Sequence, residues 1–214
     1  MSFASVILTK EFVVVTSDGQ ITNTESLEVM AEGYQKFGEL TKYQYMVATG
    51  SVNVMESVYK LCKKKIKNSF ESCNLKEMSL YIKHILNQHI EQGSCAIILC
   101  GFDKESNPEL YFIHSDITNI ESHILCEDNW LFRFLPSDHL QIEVNDVIAE
   151  FSNLIETRDF KNSENLVDIL NEINSLVAKY DISVNNNFYH TVIDRKKSIK
   201  ELILGLLNKT RRIS

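Results

Sequence analysis

The chain has few of the residues that usually separate domains. Its 214 residues include only two prolines and seven glycines, and no stretch rich in either residue marks a linker. The length is within the range of one domain built around a single large core. We therefore expect one domain over residues 1–195, followed by a C-terminal helical extension over residues 196–214.

Long apolar runs, an N-terminal signal and an excess of positive charge are also missing. No segment reaches the roughly 18 uninterrupted apolar residues typical of a membrane-spanning helix, so we predict no membrane partner. The N-terminus lacks a basic region followed by an apolar stretch and a cleavage site, and we expect no secretion signal. The formal net charge of −7 disfavours nucleic acid as a partner.

Cysteine is present, but not in a pattern that binds a metal ion. The five cysteines are Cys62, Cys73, Cys95, Cys100 and Cys126. Their number is odd, their spacing matches no zinc motif, and the six histidines have no ligand spacing either. An apolar run surrounds Cys95 and Cys100, where cysteine usually acts as a small buried hydrophobe. We expect a protein of the reducing cytoplasm, with no metal and no cofactor.

The apolar residues that are present follow strand and helix periods in a definite order. Two strands over 3–8 and 12–16 predict a hairpin at the N-terminus. Asn74 and Ser163 are the expected N-cap residues of two helices. The other predicted elements are a short strand within 20–28, a strand ending near 49, helices over about 54–66 and 76–92, strands over 95–102, 110–114 and 130–135, helices over 144–157 and 163–179, a strand over 182–193 and a helix over 199–208.

Adjacent pairs of helices alternate with clusters of strands in this order. A parallel sheet built from βαβ units would instead alternate single strands with single helices. The order suits two mostly antiparallel sheets packed face to face, with a helix pair on each outer face. Strands buried on both sides also explain why residues 13–15 and 96–100 are continuous apolar runs. The predicted fold class is α+β, a four-layer αββα sandwich.

Four short segments carry a resemblance to a known family. Together with the element order, their spacing resembles the N-terminal nucleophile hydrolases, and within them the proteasome β-type subunits. The chain is most similar to the bacterial proteasome-like peptidase of an ATP-dependent protease. A further stretch over 166–188 resembles the last helix and strand of that family. The four segments are Ser2, Asp18-Gly19-Gln20, Lys36-Phe37 and Thr49-Gly50-Ser51.

The resemblance implies a site that cleaves peptide amide bonds through Ser2. Its own α-amine, which ordinarily titrates near about 7.7–8.0, would take the proton from the hydroxyl group. Methionine aminopeptidase would first have to remove Met1. Lys36 would keep the amine unprotonated, and Asp18 would hold Lys36 in place. The Gly50 N–H would donate to the oxyanion, as backbone N–H groups do in other acyl-transfer enzymes.

Two further residues and the partners follow from the same resemblance. Ser137 and Asp181 would orient the amine of the nucleophile. The substrate would be a peptide or protein, and the chain would form a homo-oligomer, either a ring or a dimer. An ATPase is a further partner that the bacterial relatives suggest.

A catalytically inactive protein remains open as the alternative. If Met1 is retained, the Ser2 nitrogen is an amide and cannot act as a base. The family's usual Thr is replaced by Ser2, and Pro136-Ser137-Asp138 stands where the family has a flexible glycine pair. An inactive member would serve assembly or the binding of a partner, because fold alone does not fix function.

The candidate residues also have ordinary interpretations. Asp18 is the kind of residue that forms a turn at the end of a hairpin, and Gly50 is a typical strand-end glycine. Lys36, taken alone, would be a solvated surface lysine. Only the geometry of the folded chain distinguishes these interpretations from a buried site.

Overall fold

Eleven strands and four helices occur in the part of the chain that the structure describes. It is a computed structural model and describes residues 3–23, 25–66, 73–89, 93–125, 129–137 and 139–196. The strands are β1 (Ala4–Thr9), β2 (Phe12–Asp18), β3 (Gln20–Thr22), β4 (Val29–Glu32), β5 (Phe37–Thr41), β6 (Gln44–Gly50), β7 (Cys95–Phe102), β8 (Pro108–His114), β9 (Glu121–Ile124), β10 (Trp130–Leu135) and β11 (Phe188–Asp194). The helices are α1 (Val52–Ile66), α2 (Leu75–Gln88), α3 (Val144–Thr157) and α4 (Ser163–Tyr180).

Two sheets form the middle of the molecule. One has four strands in the order β10-β1-β2-β11, and the other has five strands in the order β5-β6-β7-β8-β9. All neighbouring strands in both sheets are antiparallel. The predicted N-terminal hairpin is present as β1 and β2, in which Val6 lies opposite Val15. A separate ribbon consists of β3 and β4.

A helix pair covers the outer face of each sheet. The apolar sides of α1 and α2 pack on the five-stranded sheet, and those of α3 and α4 pack on the four-stranded sheet. A third apolar cluster fills the space between the two sheets. The layers therefore follow the order helix, sheet, sheet, helix, and the predicted αββα sandwich is confirmed.

Strand β1 shows why the N-terminal strands are continuously apolar. Val6 and Leu8 belong to the cluster between the sheets, whereas Ile7 contacts the cluster under α3 and α4. All six residues of β1 are buried. Successive side chains of a strand point to opposite faces, so a strand covered on both faces needs apolar residues at every position.

The predicted strand over 182–193 is wrong in its first half. The strand begins at Phe188, and residues 181–187 form a loop after α4. Polar side chains bond to the backbone within this loop: the Asp181 carboxylate accepts the Ser183 N–H at 2.9 Å, and the Asn185 side chain accepts the Asn187 N–H at 3.2 Å. Such local bonds compete with the strand ladder.

Three strands and one helix cap also differ from the prediction. The sequence does not predict β4, β5 or β9, and β4 is exposed at all four positions, so it carries no alternation of buried and exposed residues. Helix α4 is capped by Asn162, whose side chain accepts the Glu164 N–H at 2.8 Å, and not by Ser163. The predicted cap Asn74 is confirmed, since its side chain accepts the Glu77 N–H at 3.0 Å.

Several predictions lie outside the described residues. They concern the helix over 199–208, the nucleophile Ser2 and the cysteine Cys126. Within the described residues, none of the four helices has the length and apolarity needed to cross a membrane.

Candidate active site

Asp18 lies at the end of β2 and is completely buried. One carboxylate oxygen accepts the Phe3 N–H at 2.8 Å, and the other accepts the Gln20 N–H at 2.9 Å. The ammonium group of Lys36 forms an ion pair with the first oxygen. The carboxylate therefore joins the start of β1, the turn after β2 and the loop before β5. A residue that only forms a turn would not make these contacts, so the interpretation of Asp18 as an ordinary turn former is incomplete.

Lys36 is held by its backbone as well as by its side chain. Its N–H donates to the Ser17 hydroxyl at 3.3 Å, and its carbonyl accepts the Ala48 N–H from β6 at 3.0 Å. The Tyr34 N–H donates to the Gly19 carbonyl at 3.0 Å. The side chain is only 2 % exposed, so the interpretation of Lys36 as a solvated surface lysine is wrong. The predicted ion pair with Asp18 is present and buried.

Burial changes the acid–base behaviour of this ion pair. It lowers the pKa of Lys36 to about 8, while the negative charges of Asp18 and Asp181 act in the opposite direction. Burial likewise raises the pKa of Asp18, and the bonds from Lys36, Gln20 and Phe3 oppose that change. Loss of water disfavours both charged forms, whereas the partner charge favours them. The pair therefore holds a cation that can titrate close to neutral pH.

Asp181 ends α4 and lies at the centre of a second network. Its carboxylate accepts the Ser137 hydroxyl, the Ser183 hydroxyl at 2.6 Å and the Ser183 N–H at 2.9 Å. The Ser137 oxygen in turn accepts the His139 N–H at 3.0 Å. The predicted residues Ser137 and Asp181 are thus in direct contact, and both are buried.

Two polar side chains connect the turn after β2 with the loop after α4. The Gly19 N–H donates to the Asn185 side chain at 3.1 Å. The Gln20 side chain donates to the Ile182 carbonyl at 3.0 Å and to the Thr22 hydroxyl at 2.9 Å. These bonds fix the loop that carries Asp181 to the hairpin that carries Asp18.

Gly50 ends β6 at a position that excludes a side chain. Its φ is +110°, and a Cβ atom would lie 2.2 Å from the Ser94 carbonyl oxygen. The N–H groups of a strand alternate between its two edges. The Ala48 N–H faces Lys36 and the Ser51 N–H faces Ser94 at 3.1 Å on the opposite edge. The Gly50 N–H therefore points to the same edge as Lys36.

A pocket of about 390 Å³ opens beside Lys36. Its apolar lining includes Met46, Ala48 and Met55, and two carboxylates, Glu39 and Glu56, lie at its wall. The pocket is bounded by β5, β6 and α1 through these residues. It provides a partly open space for a side chain next to the buried cation.

The structure brings most of the predicted residues together, but leaves one outside. Lys36 contacts Asp18, Ser137 contacts Asp181, and the charge of Asp181 acts on Lys36. Ser2 lies outside the described residues. Its neighbour in the chain, Phe3, is buried and donates its N–H to Asp18. The backbone N–H that follows Ser2 in the chain is therefore hydrogen-bonded to the Asp18 carboxylate of the ion pair.

Two serines of the site were missed in the sequence. Ser17 bonds to the backbone of Lys36, and Ser183 donates twice to Asp181. The spacing Asp181-Ile182-Ser183 is the signal for the second, because an Asp side chain often bonds the N–H two residues ahead. No comparable local signal exists for Ser17, whose partner is 19 residues away.

The groups that this site offers for chemistry are charged side chains and hydrogen-bond donors. Within the described residues, no group of three or more His, Cys, Asp or Glu side chains could hold a metal ion. The buried ammonium of Lys36 and the Gly50 N–H can both stabilise negative charge on a group placed at this edge. The four described cysteines are not part of this site, and burial raises the pKa of the Cys95 thiol to about 12.

Comparison with known proteins agrees with this architecture. No curated protein matches the chain. The family model described as proteasome subunit matches residues 5–126, which is more than half of the 214 residues. The match includes Asp18, Lys36 and Gly50, and ends before Ser137 and Asp181. The chain therefore belongs to the proteasome subunit family.

Proposed function

We propose that the protein hydrolyses peptide amide bonds, with Ser2 as the nucleophile. One observation carries the proposal: Asp18, in a buried ion pair with Lys36, accepts with its carboxylate the N–H of Phe3, the residue bonded to Ser2. A buried ion pair contributes little net stability, because removing both charges from water costs about as much free energy as their attraction provides. Its position at the residue that follows Ser2, which becomes N-terminal once Met1 is removed, supports a role in catalysis instead.

The proposed reaction begins with a proton transfer at the N-terminus. The free α-amine of Ser2 takes the proton from the Ser2 hydroxyl, and the oxygen attacks the carbonyl carbon of the substrate. The Lys36 cation keeps the amine unprotonated by repulsion of like charge. The Gly50 N–H donates to the oxyanion that forms, a contribution of roughly 3–4 kcal/mol in other acyl-transfer enzymes.

The second half of the reaction releases the two products. The protonated α-amine gives its proton to the leaving amine as the C–N bond breaks, which leaves an ester between the acyl group and Ser2. A water molecule then attacks this ester while the α-amine takes a proton from the water. The α-ammonium returns that proton to the Ser2 oxygen as the ester C–O bond breaks, and the carboxylic acid product leaves. Ser137 and Asp181 orient the α-amine in both steps.

The pocket beside Lys36 is the proposed place for a substrate side chain. Glu39 and Glu56 are the acidic members of its lining. Among the described residues that line it, the one cation is Lys36, which is already paired with Asp18. We therefore expect neutral and basic side chains to enter more readily than acidic ones.

The setting of the activity follows the family. Proteasome subunits generally form oligomeric assemblies, and we extend this to a homo-oligomer of this chain in the cytoplasm. An ATPase that delivers unfolded protein to the assembly is a further part of the proposal.

The test compares two forms of the N-terminus. Protein from which Met1 has been removed, verified by intact mass, should cleave small fluorogenic peptides, and protein that retains Met1 should not. Ser2→Ala should abolish cleavage, whereas Ser2→Thr should keep it because Thr presents the same hydroxyl. Ser26→Ala, at an exposed position of the β3–β4 ribbon, is the matched control.

Trapping the acyl intermediate identifies the nucleophile directly. A slowly hydrolysed peptide ester should add one acyl group to the Met1-free protein, and peptide mapping should locate it on Ser2. Equal hydrolysis by the two N-terminal forms would exclude Ser2 as the nucleophile. If neither form hydrolyses any peptide and the native host retains Met1, the inactive alternative is correct.

A further inference from the structure

A second cavity lies at the turn between β1 and β2, the end of this hairpin that is remote from the candidate active site. Its volume is about 290 Å³, close to the lower limit of the roughly 300–1,000 Å³ of typical small-molecule sites. Strand β1 has six residues at a rise of about 3.4 Å each, so roughly 17 Å separates its two ends. No described residue lines both this cavity and the pocket beside Lys36.

Positive charge predominates in the lining of this cavity. Its described charged residues are Lys10, Lys161 and Lys196, together with Glu11, so three positive charges stand against one negative charge. All three lysines are exposed, and the whole chain has a formal net charge of −7. A local excess of positive charge on an acidic protein raises the concentration of anions at that place. The lining therefore favours an anionic ligand.

Two of the lysines are held in place by their backbone. The Lys161 N–H, in the loop between α3 and α4, donates to the Asp159 side chain at 3.0 Å. The Lys196 N–H, just after β11, donates to the Asp194 side chain at 2.7 Å. These two carboxylates are not among the described lining residues. The lysines therefore approach the cavity from separate segments of the chain, as they would around a ligand with several charged oxygens.

The cavity also offers flat apolar surface and an amide. The rings of Phe12 and Phe160 and the side chain of Asn129 belong to its lining. Both rings are only partly buried, so part of each is accessible to a ligand. Nucleobases stack on aromatic side chains, and an asparagine amide can donate to and accept from the edge of a base. The lining thus combines groups for a phosphate with groups for a base.

We propose that this cavity binds a nucleoside monophosphate, with the phosphate at the lysines and the base at the two phenyl rings. A phosphate monoester has a charge of about −1.5 to −2 and three acceptor oxygens, which suits three ammonium groups. Lysine is a common phosphate ligand. A cavity of about 290 Å³ favours a ligand with one base and one phosphate over a larger one. The site uses none of the residues assigned to hydrolysis.

Binding of radiolabelled adenosine monophosphate to the full chain tests the proposal. Equilibrium dialysis should give a Kd below about 1 mM. Ribose 5-phosphate lacks the base and adenosine lacks the phosphate, so each should compete at least roughly tenfold more weakly than unlabelled adenosine monophosphate. The Ser2→Ala variant should bind adenosine monophosphate like the wild type, because Ser2 takes part only in the proposed hydrolysis. Binding and hydrolysis can thus fail independently of each other.

Substitutions in the cavity separate the two parts of the ligand. Lys161→Glu with Lys196→Glu should weaken binding of adenosine monophosphate and of ribose 5-phosphate at least roughly tenfold. Phe160→Leu keeps an apolar side chain but removes a ring, so it should weaken only the ligand with a base, by roughly tenfold. Lys76→Glu with Lys179→Glu changes the net charge as much as the first pair, at exposed positions of α2 and α4. This control should bind like the wild type.

Four results would overturn the proposal. The first is no binding of adenosine monophosphate at about 10 mM, which is weaker than any specific site of this kind requires. The second is ribose 5-phosphate or inorganic phosphate that binds as tightly as the nucleotide, which would leave a site for anions alone. The third is adenosine that binds equally well, since the lysines would then contribute nothing. The fourth is unchanged affinity in the Lys161→Glu, Lys196→Glu variant, with its fold verified by urea denaturation, which would place the ligand elsewhere.

Discussion

The two carboxylates of the candidate site are similarly buried but are stabilised in different ways. Asp18 is 0 % exposed and Asp181 is 2 % exposed. Asp18 faces the ammonium group of Lys36 in addition to two backbone N–H groups. Asp181 instead accepts two serine hydroxyls and one N–H. A buried carboxylate needs such partners because its transfer out of water is costly.

This difference determines how the two parts of the site should respond to substitution. We call Asp18 and Lys36 the hairpin half, and Asp181 with Ser137 and Ser183 the loop half. In an ion pair, removing one member leaves the other charge buried and uncompensated, whereas removing both can be almost neutral. In a network of several neutral donors, removing one leaves the others in place, and the loss is closer to that of a single hydrogen bond. The hairpin half should therefore fail as a unit, and the loop half should weaken in steps.

The largest expected effect is on Lys36 alone. Lys36→Met should lower the free energy of unfolding by roughly 3–5 kcal/mol, because the Asp18 carboxylate loses its cation while it stays buried. The double variant Asp18→Asn with Lys36→Met should recover most of this loss, since neither charge then remains. Urea denaturation of the three proteins measures both effects.

A second lysine provides the matched control for this experiment. Lys63 also donates from its ammonium, to the Leu40 carbonyl at 3.1 Å, but it is exposed on α1. Lys63→Met should cost no more than about 1 kcal/mol. If Lys36→Met is no worse than Lys63→Met, the ion pair does not behave as a buried unit and the comparison between the two halves is wrong.

An effect of pH on stability follows from the lowered pKa of Lys36, which lies at about 8 in the folded chain. The ordinary value of a lysine is 10.5, so between these two values the unfolded chain keeps a proton that the folded chain has lost. Stability contributed by Lys36 therefore rises with pH across this interval, by on the order of 1 kcal/mol per pH unit at most.

The double variant Asp18→Asn with Lys36→Met is the reference for this measurement. The stability of the wild type relative to that variant should increase from pH 8 towards pH 10.5. A flat difference would mean that Lys36 keeps its proton in the folded chain throughout the interval. Peptidase activity should change in the opposite direction and fall above about pH 8, because the proposed mechanism uses the cation.

The layers of the fold were predictable because they depend on the order of elements alone. Helix pairs alternate with strand clusters, and the continuous apolar runs of β2 and β7 require cover on both faces. The short strand β4 could not be predicted, because its four exposed residues show no alternation. The strand predicted from residue 182 was too long, because polar side chains in 181–187 take the backbone bonds that a strand would need.

The site was predictable only in part, and mostly through resemblance. Asp18 and Lys36 are 18 residues apart. An aspartate and a lysine at that separation do not by themselves predict an ion pair, so the contact was predicted only from the resemblance to the family. Ser137 and Asp181 are 44 residues apart and lie beyond the part of the chain that the family model matches. Their contact depends on how β10 and α4 end at the same edge, which no local pattern in the sequence reports.

The smallest expected effect is in the loop half, where two serines donate to the same carboxylate. Ser137→Ala and Ser183→Ala each remove one hydroxyl donor to Asp181. Each should lower the free energy of unfolding by about 1 kcal/mol, far less than Lys36→Met. The Ser183 N–H still donates to Asp181 in both variants, so the carboxylate keeps partners and the loss stays gradual.

Activity should separate these two serines even though their effect on stability is the same. If Ser137 orients the proton-accepting amine, Ser137→Ala should lower kcat/KM by at least roughly tenfold, and Ser183→Ala should lower it less. The two variants share a carboxylate, a lost hydroxyl group and a similar cost in stability, so unfolding cannot account for a difference between them. Equal losses of kcat/KM would show that both hydroxyls act only by holding Asp181, and that Ser137 has no separate contact with the amine. The loop half would then resemble the hairpin half, as one unit built around its carboxylate.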